Sequence, residues 1–272
     1  MGRSIGREVY TLEKNYLCEI LENQRVAHNV HKIKIKKPSK DFKIQAGQFI
    51  NIKCGEGDFP LLRRPISIGL TDEESMIIYV SKIGKGTKLL CDKSKGEFID
   101  ILGPLGNTFN VDIEKGKVLI VGGGIGVAPL LELTKILSQK DDVEMKLILG
   151  YRDEPFIVEE FKNYVDNIIV VSEKEGFDHK GYVIAPFEKE LRENSYDEVF
   201  SCGPEPMLKK IKEISEENNT TVQLLLEERM ACGIGACLVC ACKTKRGEDD
   251  WNYVRTCKEG PVFYGKEVIF DE

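Results

Sequence analysis

The sequence lacks several features that would assign it to common protein classes. It has only three histidines, His28, His31 and His179, and none stands beside an obvious nucleophile, so we expect surface or hydrogen-bonded roles for them rather than catalysis. No apolar run approaches the roughly 18 residues that a membrane-spanning helix needs. The net charge is −6, and no basic patch is bracketed by aromatic residues, so nucleic acid is not an expected partner.

The N-terminus also lacks the apolar core of a secretory signal, which leads us to expect a cytoplasmic protein. In that compartment the default role of an unassigned cysteine is that of a small buried side chain rather than half of a disulfide. This expectation applies to five of the nine cysteines, Cys18, Cys54, Cys91, Cys202 and Cys242.

The other four cysteines form the most informative pattern in the chain. Cys232, Cys237 and Cys240 follow the C-x4-C-x2-C spacing, and Cys257 comes later. This spacing is typical of plant-type [2Fe–2S] clusters, and glycines between the first two cysteines allow the backbone to curl around the sulfides. The short gap before Cys257 indicates an abbreviated ferredoxin domain. Structural zinc remains an alternative, although zinc sites usually have two paired knuckles and only one is present. Cys242 is a possible substitute for Cys240.

The hydrophobic pattern predicts an α+β multi-domain protein. Short alternating runs separated by turns predict an antiparallel β-barrel over residues 1–113, with a half-buried strand at residues 32–37. Strands then alternate with helices, which predicts a parallel α/β domain over residues 114–226. Residues 227–272 contain too few apolar residues for a core of their own, so we expect this third domain to fold around its metal.

A glycine-rich loop follows the first strand of the predicted α/β domain. Gly122, Gly123 and Gly124 lead to Gly126 and then to Pro129, at the start of a predicted helix. Glycines let a pyrophosphate approach the backbone, and the helix start offers free N–H groups. Proline in place of the third glycine points away from ordinary Rossmann dehydrogenases and towards the G-x-G-x-x-P loop of ferredoxin reductases.

The predicted barrel carries a second set of motifs. Residues 63–67, Arg-Arg-Pro-Ile-Ser, place a guanidinium suited to phosphate before an apolar strand, although alone they would also fit a solvated turn. Residues 79–81 and 84–87 follow, and the latter open a short helix as another phosphate cradle. Two phosphate sites in two domains imply two dinucleotides. A Cys-Gly-Pro turn at residues 202–204 ends a later strand, where parallel sheets bind ligands.

Taken in order, these motifs resemble the ferredoxin–NADP reductase superfamily. Within it, the chain is similar over essentially its whole length to the electron-transfer subunits of two-subunit, NAD-linked dihydroorotate dehydrogenases. The resemblance implies FAD, a [2Fe–2S] cluster and NAD as cofactors. It also implies that Ser67 lies near flavin N5 and that Cys202 lies near the hydride path as the catalytic candidate; a plain buried thiol is the alternative for Cys202. The implied cofactor-binding positions are Arg64, Pro65, Ile66, Ser67, Tyr79, Val80, Ser81, Gly86 and Thr87 for FAD, and Gly122, Gly123, Gly124, Gly126, Gly203 and Pro204 for the nicotinamide nucleotide.

The resemblance further implies a partner. An FMN-containing catalytic subunit would oxidise dihydroorotate in pyrimidine biosynthesis, and electrons would pass through the cluster and FAD to NAD+ in a heterotetramer. The segments 231–241 and 255–262 are then the expected docking face. The apolar residues there either contact the partner or fill a small core around the cluster; they are Met230, Ile234, Leu238 and Val262.

The sequence leaves two questions open: whether the nucleotide is NAD or NADP, and which partner protein the chain serves. Acidic residues at 172–175 disfavour a 2′-phosphate and favour NAD, whereas Arg152 favours NADP. The same cofactors also fit subunits that serve ferredoxin, hydrogenase or sulfite-reducing partners, or a free-standing flavin reductase with a vestigial cluster. A zinc-stapled interaction module without redox function is the alternative of another class.

Overall fold

The computed structural model describes residues 15–270, apart from residues 56, 58, 248 and 249. Residues 1–14, which include the segment on which the expectation of no secretory signal rests, lie outside the described residues. Among the helices of the described part, none is long and apolar enough to cross a membrane.

The first domain is a closed barrel of six antiparallel strands in the order β1-β2-β5-β4-β3-β6. Along its strands, apolar side chains that point into the barrel alternate with polar side chains that point outwards. In β2, Ile33 and Ile35 are fully buried while Lys34 between them faces outwards, as predicted. The elements are β1 (Asn15–Ala27), β2 (Val30–Lys36), β3 (Phe49–Lys53), β4 (Arg64–Thr71), β5 (Ser75–Ser81), helix α1 (Lys85–Cys91) and β6 (Phe98–Leu105).

The second domain contains a seven-stranded sheet in the order β10-β9-β8-β7-β11-β12-β15. All its pairings are parallel except β12 with β15, and helices pack on both faces, which confirms the predicted α/β architecture. Its elements are β7 (Gly116–Gly123), a 3-10 turn (Gly124–Val127), α2 (Leu130–Leu137), β8 (Val143–Tyr151), α3 (Val158–Lys162), β9 (Ile168–Ser172), β10 (His179–Lys180), α4 (Ile184–Glu193), β11 (Glu198–Cys202), α5 (Glu205–Glu217) and β12 (Thr221–Leu225).

The C-terminal segment is supported by the two larger domains. It contains a hairpin of β13 (Ala241–Lys245) and β14 (Trp251–Arg255), then β15 (Val262–Tyr264) and a 3-10 turn (Gly265–Glu267). Strand β15 joins the large sheet through β12. Asn107, which follows β6, donates from Nδ2 to the carbonyls of Val262 at 2.7 Å and Glu259 at 2.9 Å, and its Oδ1 accepts the Val262 N–H at 2.9 Å. These bonds hold the segment against the barrel and the sheet.

Two carboxylates of the α/β domain hold it against the barrel. The carboxylate of Glu132, on α2, accepts the N–H of Thr71 at the end of β4 at 2.7 Å. Burial raises the pKa of Glu132. On α3, Glu160 accepts hydrogen bonds from Lys32 at 3.0 Å and from the hydroxyl of Tyr79 at 3.2 Å. The two domains therefore meet at defined points on α2 and α3, and the space left between them is the candidate site.

Candidate functional site

A cleft of about 920 Å³ lies where the barrel, the α/β domain and the cysteine-rich segment meet. Its wall includes residues from both predicted dinucleotide sites and from the approach to the cysteines, so the fold brings the separate motifs to one place. The predicted positions that line it are Arg64, Pro65, Ile66, Ser67, Tyr79, Ser81, Thr87, Gly126, Cys202, Gly203 and Pro204.

At the barrel end of this cleft, Arg64 and helix α1 form one basic site rather than two. A Cβ atom on Gly86 would lie 2.8 Å from Nε of Arg64, so glycine is needed for the guanidinium to lie across the start of the helix. The hydroxyl of Thr87 accepts the N–H of Gly84 at 3.0 Å and closes the first turn. This arrangement places a cation beside main-chain N–H groups, which suits a phosphate.

The two neighbouring arginines have different surroundings. Arg63 donates to both carboxylate oxygens of Asp100, at 2.9 and 3.0 Å, and to the Asp100 carbonyl, which ties β4 to β6. Arg64 donates to the Leu62 carbonyl at 2.6 Å, and no carboxylate within the described ranges forms an ion pair with it. The guanidinium that remains available for an anionic ligand is therefore that of Arg64.

At the opposite end, the glycine-rich loop packs directly on the Cys-Gly-Pro turn. A Cβ on Gly126 would lie 2.7 Å from the carbonyl carbon of Cys202 and from Cα of Gly203, so only glycine permits this approach. Gly124 has φ of +59° and open space around it, which favours glycine there. The two predicted nucleotide motifs thus form one surface at the carboxyl ends of β7 and β11, as expected for a parallel sheet.

Some of the predicted positions do not line the cleft. Val80 is fully buried in the barrel core, so its side chain cannot face a ligand, and Gly122 and Gly123 lie buried at the end of β7. Gly86 acts through Arg64, as described above. Tyr79 borders the cleft, but its hydroxyl donates to Glu160 of the other domain.

Cys202 lies at the end of β11, on the cleft wall, and is almost fully buried. Burial, together with the nearby charge of Glu227, raises the pKa of its thiol far above the ordinary value. The thiol is therefore neutral at physiological pH and is not a thiolate nucleophile.

The cysteine loop curls as its glycines require. Gly233 and Gly235 have φ of +75° and +81°. The N–H groups of Ile234 and Ala236 point at Sγ of Cys232 at 3.4 and 3.3 Å. Although burial opposes ionisation, these hydrogen bonds lower the pKa of Cys232 to about 7.

The four thiols lie as two pairs. Cys232 hydrogen-bonds with Cys237, and Cys240 with Cys257, whose sulfur also accepts the Gly235 N–H at 3.1 Å. Burial and the neighbouring Cys240 raise the pKa of Cys257 to about 12. Across the described residues, no three potential ligands converge as a single metal ion would require. Two thiol pairs with main-chain N–H groups aimed at sulfur fit a binuclear cluster, in which each iron takes two cysteines.

The pairs differ in exposure. Cys237 is exposed and Cys232 is half-buried, whereas Cys240 and Cys257 are buried against Phe49 and other apolar side chains of the barrel. We call Cys232 and Cys237 the outer pair, and Cys240 and Cys257 the inner pair.

Other predicted residues divide between the surface and the core. Ile234 and Leu238 are exposed around the outer pair, as a docking role requires. Val262 is buried in β15, which fits the core interpretation. Met230 is half-buried and packs against the inner pair, so a docking role for it stays a prediction. Cys242 is buried in a different cluster, on the large sheet.

The remaining cysteines outside the ligand set are also buried, and among the described residues they are free thiols. Cys18, Cys54 and Cys91 lie in the barrel core.

Asn51 is a feature that sequence reasoning missed. It is fully buried on β3 and donates from Nδ2 to the Cys232 carbonyl at 3.2 Å, while its Oδ1 has no partner in the described part of the chain. A Cβ on Gly233 would lie 2.5 Å from Nδ2, so the loop rests directly on this amide. The sequence did contain a signal for it, since Asn51 is a polar residue between two isoleucines of an apolar run.

Comparison with known proteins agrees with this geometry. The family model for the iron-sulfur cluster binding domain of dihydroorotate dehydrogenase B matches residues 227–269, and that for the oxidoreductase NAD-binding domain matches residues 120–213. The dihydroorotate dehydrogenase B (NAD+) electron transfer subunit of Clostridium acetobutylicum is 41% identical, over 98% of this chain and 100% of its own length. Its counterpart in Caldanaerobacter subterraneus is 42% identical over 93% and 98%.

Solved structures share the architecture. The NADH-dependent reduced ferredoxin-NADP oxidoreductase aligns with a TM-score of 0.82 and 29% identity, over 93% of this chain and 90% of that chain. Phthalate dioxygenase reductase, at 14% identity, aligns with a TM-score of 0.63 over 90% of this chain and 77% of its own, and shows the fold alone. The chain therefore belongs to the family of dihydroorotate dehydrogenase B electron transfer subunits.

Proposed function

We propose that this chain takes electrons from a partner that oxidises dihydroorotate, passes them through a [2Fe–2S] cluster and FAD, and delivers them to NAD+. In the overall reaction, dihydroorotate and NAD+ become orotate, NADH and a proton. The observation that carries the proposal is the single cleft in which Arg64 of the barrel, the surface of Gly126 and Cys202, and Met230 beside the cysteines all meet.

Each wall of the cleft has a separate task in this proposal. When bound, FAD supplies the conversion between the single electrons of a cluster and the electron pair of nicotinamide. Arg64, held over Gly86, would bind its phosphates together with the first turn of α1, and Ser67, which lines the cleft, would lie near its ring. Residues 79–81 would contact it through Tyr79, Ser81 and the main chain, because the Val80 side chain points into the barrel.

The α/β wall receives the nicotinamide nucleotide. We assign the phosphates to residues 122–126 and the nicotinamide end to residues 202–204. Cys202 borders the hydride path as a buried thiol whose pKa is raised by its burial. Cys232, Cys237, Cys240 and Cys257 hold the cluster, two to each iron. The domain limits proposed from these tasks are 1–113 for FAD, 114–226 for NAD and 227–272 for the cluster, with β15 anchoring the last to the second.

The partner docks at the outer pair in this proposal. Ile234, Leu238 and Val239 are exposed around Cys237, and together they present an apolar rim at the most accessible ligand. Apolar exposed groups of this kind mark interaction sites. The partner is the FMN-containing catalytic subunit, the assembly is a heterotetramer, and a cytoplasmic location keeps the thiols reduced.

Anaerobic co-purification with that subunit tests the proposal. We expect the complex to contain FAD, FMN and iron, and to reduce NAD+ when dihydroorotate is added. This chain alone should oxidise NADH with an artificial acceptor and show no response to dihydroorotate. Because the ferredoxin-NADP oxidoreductase structure aligns so closely, reduced ferredoxin is the second electron donor to test. Reduction of NAD+ by ferredoxin without any response to dihydroorotate would assign the chain to that second function.

A further inference from the structure

Two apolar side chains separate the cleft from the cysteine ligands. Phe49 of β3 and Met230, just before the cysteine loop, line the cleft and also pack in the cluster that contains Cys240 and Cys257. Phe49 is 3% exposed. Together they form a partition with the cleft on one face and the inner cysteine pair on the other.

The position of Phe49 is fixed from three sides. On β3 it pairs with Ser67 of β4 and with Leu105 of β6. Its ring also borders the turn before β15: a Cβ on Gly106 would lie 3.1 Å from Cε1 of Phe49 and 2.5 Å from Cδ of Pro261. The ring is therefore enclosed by barrel strands and by the cysteine-rich segment. Met230, by contrast, is a flexible side chain that adapts to the space it is given.

We propose that Phe49 is a positioning residue that sets the separation between the flavin and the iron held by the inner pair. The inference rests on the proposed function. Each passage across the partition moves one electron, so the cluster is oxidised as the flavin is reduced. Two passages and one proton from water supply the hydride that NAD+ accepts.

This assignment also gives the two thiol pairs different tasks. The inner pair exchanges electrons with the flavin across Phe49, because it is buried on that side. The outer pair exchanges electrons with the partner subunit, because Cys237 is the exposed ligand. A shorter side chain at position 49 would leave a gap in the partition, since close-packed interiors relax only partly around a deletion.

The test is anaerobic reduction of the purified complex by NADH, in the reverse direction, followed by stopped-flow absorbance. The variant is Phe49→Leu. We expect flavin bleaching by NADH to keep its wild-type rate, while cluster reduction becomes slower than in the wild type, because the electron must cross the gap that the shorter side chain leaves. Flavin content, iron content, the EPR spectrum and both midpoint potentials should remain unchanged, and a merely structural defect would alter these.

Phe42→Leu is the matched control. Phe42 is 4% exposed and packs in the other core of the same barrel, against Tyr16, so the same deletion is made away from the partition. We expect this variant to reduce its cluster at the wild-type rate. Equal slowing in both variants would show that barrel stability, and not the partition, controls the rate.

Other outcomes separate the two proposals. A fully loaded Phe49→Leu complex with wild-type cluster reduction would overturn the role of Phe49. If that variant loses a cofactor, Phe49→Ile decides, because it shortens the side chain as Leu does but places a β-branched residue on strand β3, where such residues are favoured. Unslowed cluster reduction in a fully loaded Phe49→Ile complex would equally overturn the role of Phe49. Failure of NADH to bleach the flavin of the wild-type protein would instead refute the proposed function.

Discussion

Replacing Gly86 by alanine should weaken FAD binding without destabilising the barrel. The new Cβ would lie 2.8 Å from Nε and 3.0 Å from Cζ of Arg64, so the guanidinium must leave its place across the helix. Gly86 lies within α1, where alanine is favoured over glycine by about 1 kcal/mol. The substitution therefore has opposite expected effects on ligand binding and on the stability of the free protein.

The expected loss follows from the interaction that is displaced. A hydrogen bond to a charged group contributes about 1.5–3 kcal/mol. At about 1.4 kcal/mol for each tenfold change, this corresponds to an increase of about 10- to 150-fold in the Kd for FAD. Titration of flavin-free protein with FAD, followed by fluorescence quenching, measures the Kd, and calorimetry of the same preparation measures the Tm, which we expect to be unchanged or higher.

A double-mutant cycle shows whether the effect passes through Arg64. Arg64→Ala alone should weaken FAD binding at least as much, and adding Gly86→Ala to it should change the Kd little further, because the displaced group is already absent. Wild-type affinity in Gly86→Ala would refute the reasoning. So would a full additional loss in the Arg64→Ala background, since it would show that the methyl group blocks FAD directly.

Three further predictions concern the cluster segment and the domain contact. Cys232→Ser should abolish partner-linked electron transfer while FAD content and NADH oxidation with an artificial acceptor remain largely intact. Asn107→Ala removes three hydrogen bonds around Val262 and should lower the unfolding free energy by about 2–3 kcal/mol, at about 1 kcal/mol for each bond. Burial raises the pKa of Glu132, so the protonated carboxyl stabilises the folded protein relative to the unfolded one. This stabilisation is complete below the ordinary pKa of about 4.3 and is lost as the pH rises through the raised pKa. Glu132→Gln keeps an acceptor for Thr71 and should flatten the decline of Tm towards neutral pH.

Each of these has a defined contrary result. Loss of FAD together with the cluster in Cys232→Ser would show that the domains do not function separately. Asn163→Ala, which removes one exposed hydrogen bond to the Glu160 carbonyl, is the control for Asn107→Ala. If both variants lower the unfolding free energy equally, the three hydrogen bonds of Asn107 do not have the stabilising role assigned to them. A Glu132→Gln protein that keeps the wild-type dependence of Tm on pH would assign that dependence to other carboxylates.

Much of the site could be predicted because its signals are local. The spacing of Cys232, Cys237 and Cys240 specifies a cluster without knowledge of the fold, since the ligands lie on one tight loop. The glycine-rich run after β7 specifies a nucleotide loop for the same reason. The comparisons confirm the family, the cofactors and the fold class that these motifs imply.

Other features depend on contacts between distant residues. Asn51 was missed because only the folded chain brings its amide to the Cys232 carbonyl. The sequence left Met230 and Val262 open between surface and core, and both pack inwards because the cysteine-rich segment is built onto its neighbours.

Residue order and spacing along the chain were sufficient for the architecture and, through the resemblance that the motifs carry, for the cofactor set, because periodicity and short motifs act over a few residues. The tertiary structure alone decided that Arg64 and Gly86 form one site and that Phe49 both lines the cleft and packs against the inner thiols. The second of these facts arises from packing between β3 and a loop that follows it by 181 residues, the separation of Asn51 from Cys232. Such contacts depend on how the surfaces of two domains fit together when they pack closely, and a local sequence pattern contains no information about that fit.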